Sequence, residues 1–275
     1  MDAMKISKIK PKYVLIFLLC AVMIAFEMIP SLKAIPFTSD EAYNHLISLI
    51  LPLIAGGVAV WLISQEFGLH LFKKPQNLWV LVPAFIIALD NLPWLAYFAG
   101  KLSLKHTQPM HFTLFGVYCM LVGFFEEVLF RGVFLSLIAG VFERSHKGLI
   151  QTYLVSSVAF GAIHILNIFT SGGGAVLQAG YSILTGGLFG FVMLKTKNVL
   201  FPALIHGVYN FCGQLFARAP GLGNGSFPDV PSGIMMAVIG LIIGAFVLYK
   251  VLKYPENERI ELYSRLGIKE ASKTE

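Results

Sequence analysis

Residues 112–140 read FTLFGVYCMLVGFFEEVLFRGVFLSLIAG, an apolar run whose only charged side chains are Glu126, Glu127 and Arg131. A hydrocarbon core about 30 Å thick is crossed by about 20 apolar residues in an α-helix, because lipid offers no partner to an unpaired peptide group. The run is therefore long enough to span a membrane. A charge near the bilayer centre costs about 2.5–3.5 kcal/mol on insertion scales, so three charges in one span indicate a functional site.

The rest of the chain has the same membrane character. Of its 275 residues, 56% are hydrophobic and 13% are charged, with a mean hydropathy of +0.74, whereas soluble domains carry about 25% charged residues. Eight apolar runs follow one another, which predicts an all-α bundle of about eight transmembrane helices. These runs are residues 14–29, 46–63, 78–100, 112–140, 149–169, 177–194, 199–216 and 233–252.

The polar residues outside these runs predict the domain organisation. We expect a single integral membrane domain over residues 1–252 and a cytoplasmic tail over residues 253–275. The apolar side chains of the tail favour a short amphipathic helix at the membrane surface, formed around Ile260, Leu262, Leu266 and Ile268.

The basic residues predict how the chain is oriented in the membrane. With the N-terminus in the cytoplasm, sixteen of the 21 lysines and arginines fall in cytoplasmic segments, among them Lys195 and Lys197 in one short loop. Because cytoplasmic loops retain basic residues, we predict a multi-pass protein of the cell membrane with both termini inside. The net charge of +6 comes from these scattered positions, which disfavours nucleic-acid binding.

Two further patterns in the apolar runs concern helix packing. The pairs Gly186 with Gly190 and Gly240 with Gly244 have the four-residue spacing that lets membrane helices approach closely. The sequence Asp90-Asn91-Leu92-Pro93 lies inside the third run, and its proline removes one backbone hydrogen bond. We predict a kink there, rather than a helix break that lines a cavity.

The charged residues of the fourth run differ in the helix faces that they occupy. Glu127 and Arg131 are four residues apart, so one helix face presents both and they can form an ion pair. Glu126 lies about 100° away around the helix. This predicts a structural Glu127–Arg131 pair beside a free carboxylate, Glu126, that is suited to general base work. The alternative is that all three charges only hold helices together.

Histidine and asparagine side chains in other runs complete a set of reactive groups. His164 lies in the fifth run, while His206 and Asn210 lie on one face of the seventh run. Each of them alone could serve only to bond helices together. With Glu126 they supply what hydrolysis needs, namely a base that activates water and donors that stabilise an oxyanion.

Three short motifs carry a resemblance to a known family. They are Glu-Glu-x-x-x-Arg at 126–131, Phe-x-x-x-His at 160–164 and His-x-x-x-Asn at 206–210, each inside its own run. In this order they resemble the CPBP (CAAX protease and bacteriocin-processing, or Abi) family of intramembrane proteases, which includes the CAAX prenyl endopeptidases. The resemblance covers about residues 112–216 and implies an eight-helix bundle with an internal catalytic cavity.

The resemblance also implies a role for each motif residue. Glu126 would activate the hydrolytic water, His164 would help to hold it, and His206 with Asn210 would form the oxyanion hole. Glu127 and Arg131 would orient this assembly in a supporting role. The implied reaction is cleavage of a membrane-associated peptide or protein in the lipid bilayer, with no cofactor. Neither the substrate nor the oligomeric state follows from the motifs.

Three other functions use the same residues. In a zinc-dependent membrane hydrolase, Glu126, His164 and His206 would be a His₂Glu ligand set that leaves one position open for water. In a proton-coupled transporter, buried glutamates and histidines would relay protons. In a non-catalytic membrane scaffold or immunity protein, the motif residues would serve stability alone.

Overall fold

The computed structural model describes residues 40–66, 69–102, 108–168, 174–218 and 230–268. These residues contain helices and no strand, which confirms the all-α class for this part of the chain. The first predicted span, residues 14–29, lies outside the described residues. The α-helices are α1 (Glu41–Glu66), α2 (Leu81–Asp90), α3 (Trp94–Phe98), α4 (Pro109–Glu127), α5 (Leu135–Ala139), α6 (His146–Ile163), α7 (Gly174–Thr196), α8 (Leu200–Arg218), α9 (Val230–Leu252) and α10 (Glu256–Arg265).

Several helices have the length and composition of membrane spans. Three stretches are long and apolar enough to cross a bilayer, namely His146–Asn167, Gly174–Thr196 and Pro231–Leu252, and two shorter apolar helices cover Leu53–Leu62 and Leu78–Asp90. Large apolar side chains on these helices face outward, as with Leu241 at 67% and Ile242 at 65% exposure. A lipid environment accommodates such a surface, so the chain is a polytopic membrane protein. These stretches account for three of the eight predicted spans and for parts of two more.

The third predicted span is broken, so the predicted kink is wrong. A 3₁₀ turn at Leu78–Val80 leads into α2, which ends at Asp90, and α3 begins only at Trp94. Pro93 cannot donate a backbone hydrogen bond, and it disfavours helical geometry in the residue before it. The indole of Trp94 then donates to the carbonyl of Leu89 at 2.8 Å, which stabilises the break.

The fourth predicted span changes its winding in the middle. A π-helix over Val128–Phe134 separates α4 from α5. It begins directly after Glu127 and contains Arg131. Single π-helical turns inside α-helices are rare and occur frequently at functional sites. The irregular segment therefore coincides with the charged residues that the sequence singled out.

Two glycines bring α4 and α8 into backbone contact. A Cβ atom at Gly123 would lie 2.6 Å from both the Ala203 carbonyl oxygen and the Gly207 nitrogen, which is too close for any side chain. Glu127 follows Gly123 by one helical turn, and His206 directly precedes Gly207. The contact therefore sets the distance between the first and third motifs.

The two predicted glycine pairs differ in their surroundings. Positions for a Cβ at Gly186 and Gly190 lie 3.0 Å from Phe160 and 3.4 Å from Tyr153, so this pair faces α6 closely, as predicted. Among the residues that the structure describes, nothing lies within 4 Å of such a position at Gly240 or Gly244, so a close contact at this pair stays a prediction.

The tail forms the predicted helix, α10, but its apolar side chains pack into the protein core. Leu262 and Leu266 are buried, at 0% and 3% exposure, while Ile260 is half exposed. Lys195 and Lys197, which the sequence placed in a loop, are also buried. Their ammonium groups lie 2.8 Å from Glu258 and 2.7 Å from Glu261, both on α10. Lys195 lies in the last turn of α7 and Lys197 in the short loop that follows it, so the predicted turn is present. Both side chains are buried because their partner carboxylates come from a distant segment.

Candidate active site

The Glu127–Arg131 pair forms as the spacing predicted. Both side chains are fully buried, and Arg131 Nε lies 3.1 Å from Glu127 Oε2. Arg131 Nη2 donates to the carbonyl of Gly186 on α7 at 2.8 Å, and the guanidinium lies 4.4 Å from the ring centre of Phe160. Arg131 thus connects the π-helix with α7 and α6, and it forms an ion pair with Glu127.

His206 lies between the two adjacent glutamates. Its Nδ1 is 3.0 Å from Glu127 Oε1, and its Nε2 is 3.9 Å from Glu126 Oε2. The imidazole stacks on Phe189 of α7, with ring centres 4.7 Å apart and an interplanar angle of 22°. Glu127 therefore contacts both Arg131 and His206, so it links the first motif to the third.

The carboxylate of Glu126 has an oxygen available for a further partner. Its side chain is 15% exposed, and its Oε2 is buried without a hydrogen-bond partner among the residues that the structure describes. The 3.9 Å to His206 Nε2 is longer than a hydrogen bond. A buried carboxylate oxygen requires a donor, and water or a substrate group in this gap would satisfy it.

His164 is the first residue of the 3₁₀ turn that follows α6. Its Nδ1 lies 2.6 Å from the carbonyl oxygen of Phe160. A carbonyl only accepts hydrogen bonds, so Nδ1 carries the proton and, in a neutral ring, Nε2 is left as an acceptor. The ring centre of Phe160 is 4.9 Å from that of His164 and 5.6 Å from that of His206. Phe160 therefore connects the second motif to the rest of the site.

Asn210 lies one turn beyond His206 on α8 and is half-buried. The structure thus brings Glu126, Glu127, Arg131 and His206 into one cluster. His164 joins this cluster through Phe160, and Asn210 follows on the same helix as His206.

The three motifs lie within one conserved-domain match. Residues 108–212 match the model of the family described as type II CAAX prenyl endopeptidase Rce1-like. Residues 108–212 are therefore similar to that family, and they are the Rce1-like region of the chain. No significant match was found among curated proteins or among solved structures. The matched residues begin at the start of α4 and end within α8, so they include every residue of the cluster.

Residues outside the three motifs also shape the Rce1-like region. Phe189 stacks on His206, and the Gly186 carbonyl receives Arg131. From the sequence, the sixth run is predicted only to pack against other helices. Its glycine-rich sequence Gly186-Gly187-Leu188-Phe189-Gly190 is the pattern that indicates a larger role. The glycines leave the backbone accessible to the neighbouring helices, and Phe189 places one aromatic ring among them.

The zinc alternative requires three ligand side chains close together in the Rce1-like region. Among the residues that the structure describes, no three histidine, cysteine, aspartate or glutamate side chains are grouped in a way that could hold a metal ion. Glu126, His164 and His206, the set considered for zinc, therefore do not form a ligand group in this conformation.

An apolar groove of about 420 Å³ lies between α2 and α9, away from the cluster. Its lining includes Trp79, Ile86 and Phe246. None of the six candidate residues of the Rce1-like region lines this groove.

Proposed function

We propose that the chain is an intramembrane endopeptidase that hydrolyses a peptide bond of a membrane-associated peptide or protein. The observation that carries this proposal is the buried, unpartnered Oε2 of Glu126, which lies beside a histidine whose other nitrogen contacts Glu127. Similarity to the Rce1-like family over residues 108–212 supports the same class of reaction.

In the proposed mechanism Glu126 is the general base. It takes a proton from water, and the water oxygen adds to the carbonyl carbon of the scissile bond. The lone pair on Nε2 of His164 accepts the other water proton in a hydrogen bond and so orients the nucleophile. When the tetrahedral intermediate collapses, the C–N bond breaks and the proton on Glu126 passes to the leaving amine. The products are a carboxylic acid, which retains the other water proton until it ionises, and an amine.

His206 and Asn210 stabilise the oxyanion of the intermediate in this mechanism. His206 donates from Nδ1 to Glu127, so donation from Nε2 to an oxyanion requires the ring to carry both protons. The charges agree with this state, because two glutamates are then balanced by Arg131 and an imidazolium. The Asn210 amide is the second donor, and loss of one such donor in another hydrolase costs about 10²–10³ in turnover.

We also propose the finer topology that the sequence predicts. The bundle has eight spans and both termini in the cytoplasm, with the reaction taking place in an internal cavity reached from the membrane. A multi-pass arrangement suits a peptide substrate that is itself held in the bilayer, because substrate and enzyme then diffuse in the same two dimensions.

Comparison of membrane peptides tests the proposal. Mass spectrometry of cells that carry the wild-type chain or the Glu126→Gln variant should reveal a peptide that is cleaved only by the wild type. Purified protein should then cleave this peptide in liposomes, with or without exhaustive chelation. If one zinc per chain were found, with activity lost on its removal and regained on its return, the zinc-hydrolase mechanism would replace the one proposed here.

A further inference from the structure

At the break in the third predicted span, the side-chain amide of Asn91 contacts α8, the helix that carries Asn210. Asn91 directly follows α2, and its backbone N–H still bonds to the Ile87 carbonyl at 3.2 Å. Its side-chain Nδ2 extends to α8 and donates to the carbonyl oxygen of Tyr209 at 2.8 Å. Tyr209 is the residue directly before Asn210.

A glycine on α8 provides the space for this amide. A Cβ atom at Gly213 would lie 2.1 Å from Asn91 Nδ2 and 2.9 Å from its side-chain carbon. Residues 209 and 213 are the two ends of one helical turn, because an α-helical carbonyl accepts from the N–H four residues later. The Asn91 amide therefore contacts both ends of the turn that contains Asn210.

The position of the amide is fixed from the other side as well. The indole of Trp94 donates to the Leu89 carbonyl, and the backbone N–H of Trp94 bonds to the Leu92 carbonyl at 2.7 Å. These hydrogen bonds hold the break in one conformation.

We propose that Asn91 is a positioning residue that fixes the 209–213 turn and thereby the Asn210 amide. The inference rests on the proposed function, because it assigns to Asn210 a donor role at the oxyanion. Misplacement of a reacting group by about 1 Å can cost about 10²-fold in rate. We therefore expect Asn91→Ala to lower kcat by about 10–10²-fold with little change in KM, because the tie does not involve substrate binding.

A double-mutant cycle tests the proposal with the purified full chain in liposomes and the peptide identified as the substrate. We compare Asn91→Ala, Asn210→Ala and the chain that carries both substitutions. If Asn91 acts through Asn210, the double variant should be no slower than Asn210→Ala alone. Thr113→Val is the control, since it removes a side-chain hydrogen bond to the Pro109 carbonyl within α4, and its kcat should stay within about twofold of wild type.

A second pair of variants makes the test independent of lost hydrogen bonding. Gly213→Ala places a methyl group where the Asn91 amide lies, so it should lower kcat by itself. Adding Asn91→Ala removes the clashing group and should restore part of the Gly213→Ala loss. Such a rescue would not follow from a general loss of stability.

The outcomes separate the inference from the proposed function. If Asn210→Ala keeps full activity, the oxyanion role of Asn210 is wrong and the positioning role of Asn91 is wrong with it. If Asn210→Ala is slow but Asn91→Ala is not, or if the two losses multiply in the double variant, only the positioning role is overturned.

Discussion

Glu127 Oε1 and His206 Nδ1 lie 3.0 Å apart across the contact between α4 and α8. The same carboxylate also pairs with Arg131, so a group expected to be purely structural is in direct contact with a proposed catalytic residue. In the proposed mechanism the two neighbouring glutamates therefore have different roles. Glu127 holds charged partners in place, whereas Glu126 has an oxygen free to act on water.

Conservative substitution of the two glutamates should separate these roles. Glu126→Gln keeps size and should lower turnover by about 10²–10⁴-fold with unchanged thermal stability, because it removes only the general base. Glu127→Gln should lower both turnover and the unfolding temperature, because it leaves Arg131 buried without a counter-charge. Turnover and thermal unfolding in detergent measure the two effects, and equal unfolding temperatures for the two variants would contradict the division.

Arg131→Ala should destabilise the fold strongly. Breaking a buried ion pair by removing one partner costs about 3–5 kcal/mol, because the other charge remains buried. Arg131→Lys should rescue little, since a lysine cannot contact Glu127, the Gly186 carbonyl and the Phe160 face together. Chemical unfolding measures the loss. Arg144→Ala, an exposed arginine in the α5–α6 loop, is the control and should unfold like the wild type.

The glycine contact between α4 and α8 predicts a sharp difference between two alanine substitutions on one helix. Gly123→Ala pushes a methyl group against the backbone of α8 and should lower turnover by about 10²-fold by moving Glu127 away from His206. Gly116→Ala has 3.8 Å to the Phe211 ring and should be tolerated. Similar turnover in the two variants would show that the close approach does not set the site.

The contact between α10 and Lys197 should make stability depend on acid pH. Burial raises the pKa of Glu261, but hydrogen bonds from Lys197 and Arg265 outweigh burial, so its pKa lies below the ordinary value of 4.5. A lowered folded-state pKa contributes stability that is complete above the unfolded value and is lost as pH falls through the folded value. The unfolding temperature should therefore fall as pH drops below about 4.5.

The Glu261→Gln variant is the control for this pH dependence. It should be less stable than the wild type at neutral pH, and it should lose less on acidification. Gln76, which donates to Glu261 at 2.6 Å, stays in place in this comparison. Parallel curves for the two proteins would assign the acid loss to other carboxylates.

Cysteine labelling tests the topology. A cysteine at the exposed position of Lys147 should react with a membrane-impermeant reagent only from the cytoplasmic side, and one at Lys101 only from outside. Lys197→Cys should resist the reagent from both sides, because the position is fully buried. Labelling of the Lys147 position in intact cells would reverse the proposed orientation.

The features that sequence predicted correctly are those with local causes. The Glu127–Arg131 pair follows from a four-residue spacing, which acts within one helix. The Glu127–His206 contact depends on two glycines in different helices, and no local pattern connects them. Likewise, Pro93 is compatible with a kink or a break, and no local pattern decides between them. The burial of Lys195 and Lys197 depends on Glu258 and Glu261, which lie far along the chain, so no local pattern predicts it.

The distance along the sequence between these two lysines and their partner glutamates has a consequence for the order in which the protein is made. Glu258 and Glu261 follow their lysine partners by 63 and 64 residues. At ribosomal speeds of about 5–20 residues per second, about 3–13 s pass between synthesis of the lysines and of their counter-charges. During that interval the two ammonium groups need water, so this end of the bundle stays hydrated while the spans are already being inserted. The tail must therefore be synthesised before this end of the bundle can close over the two lysines.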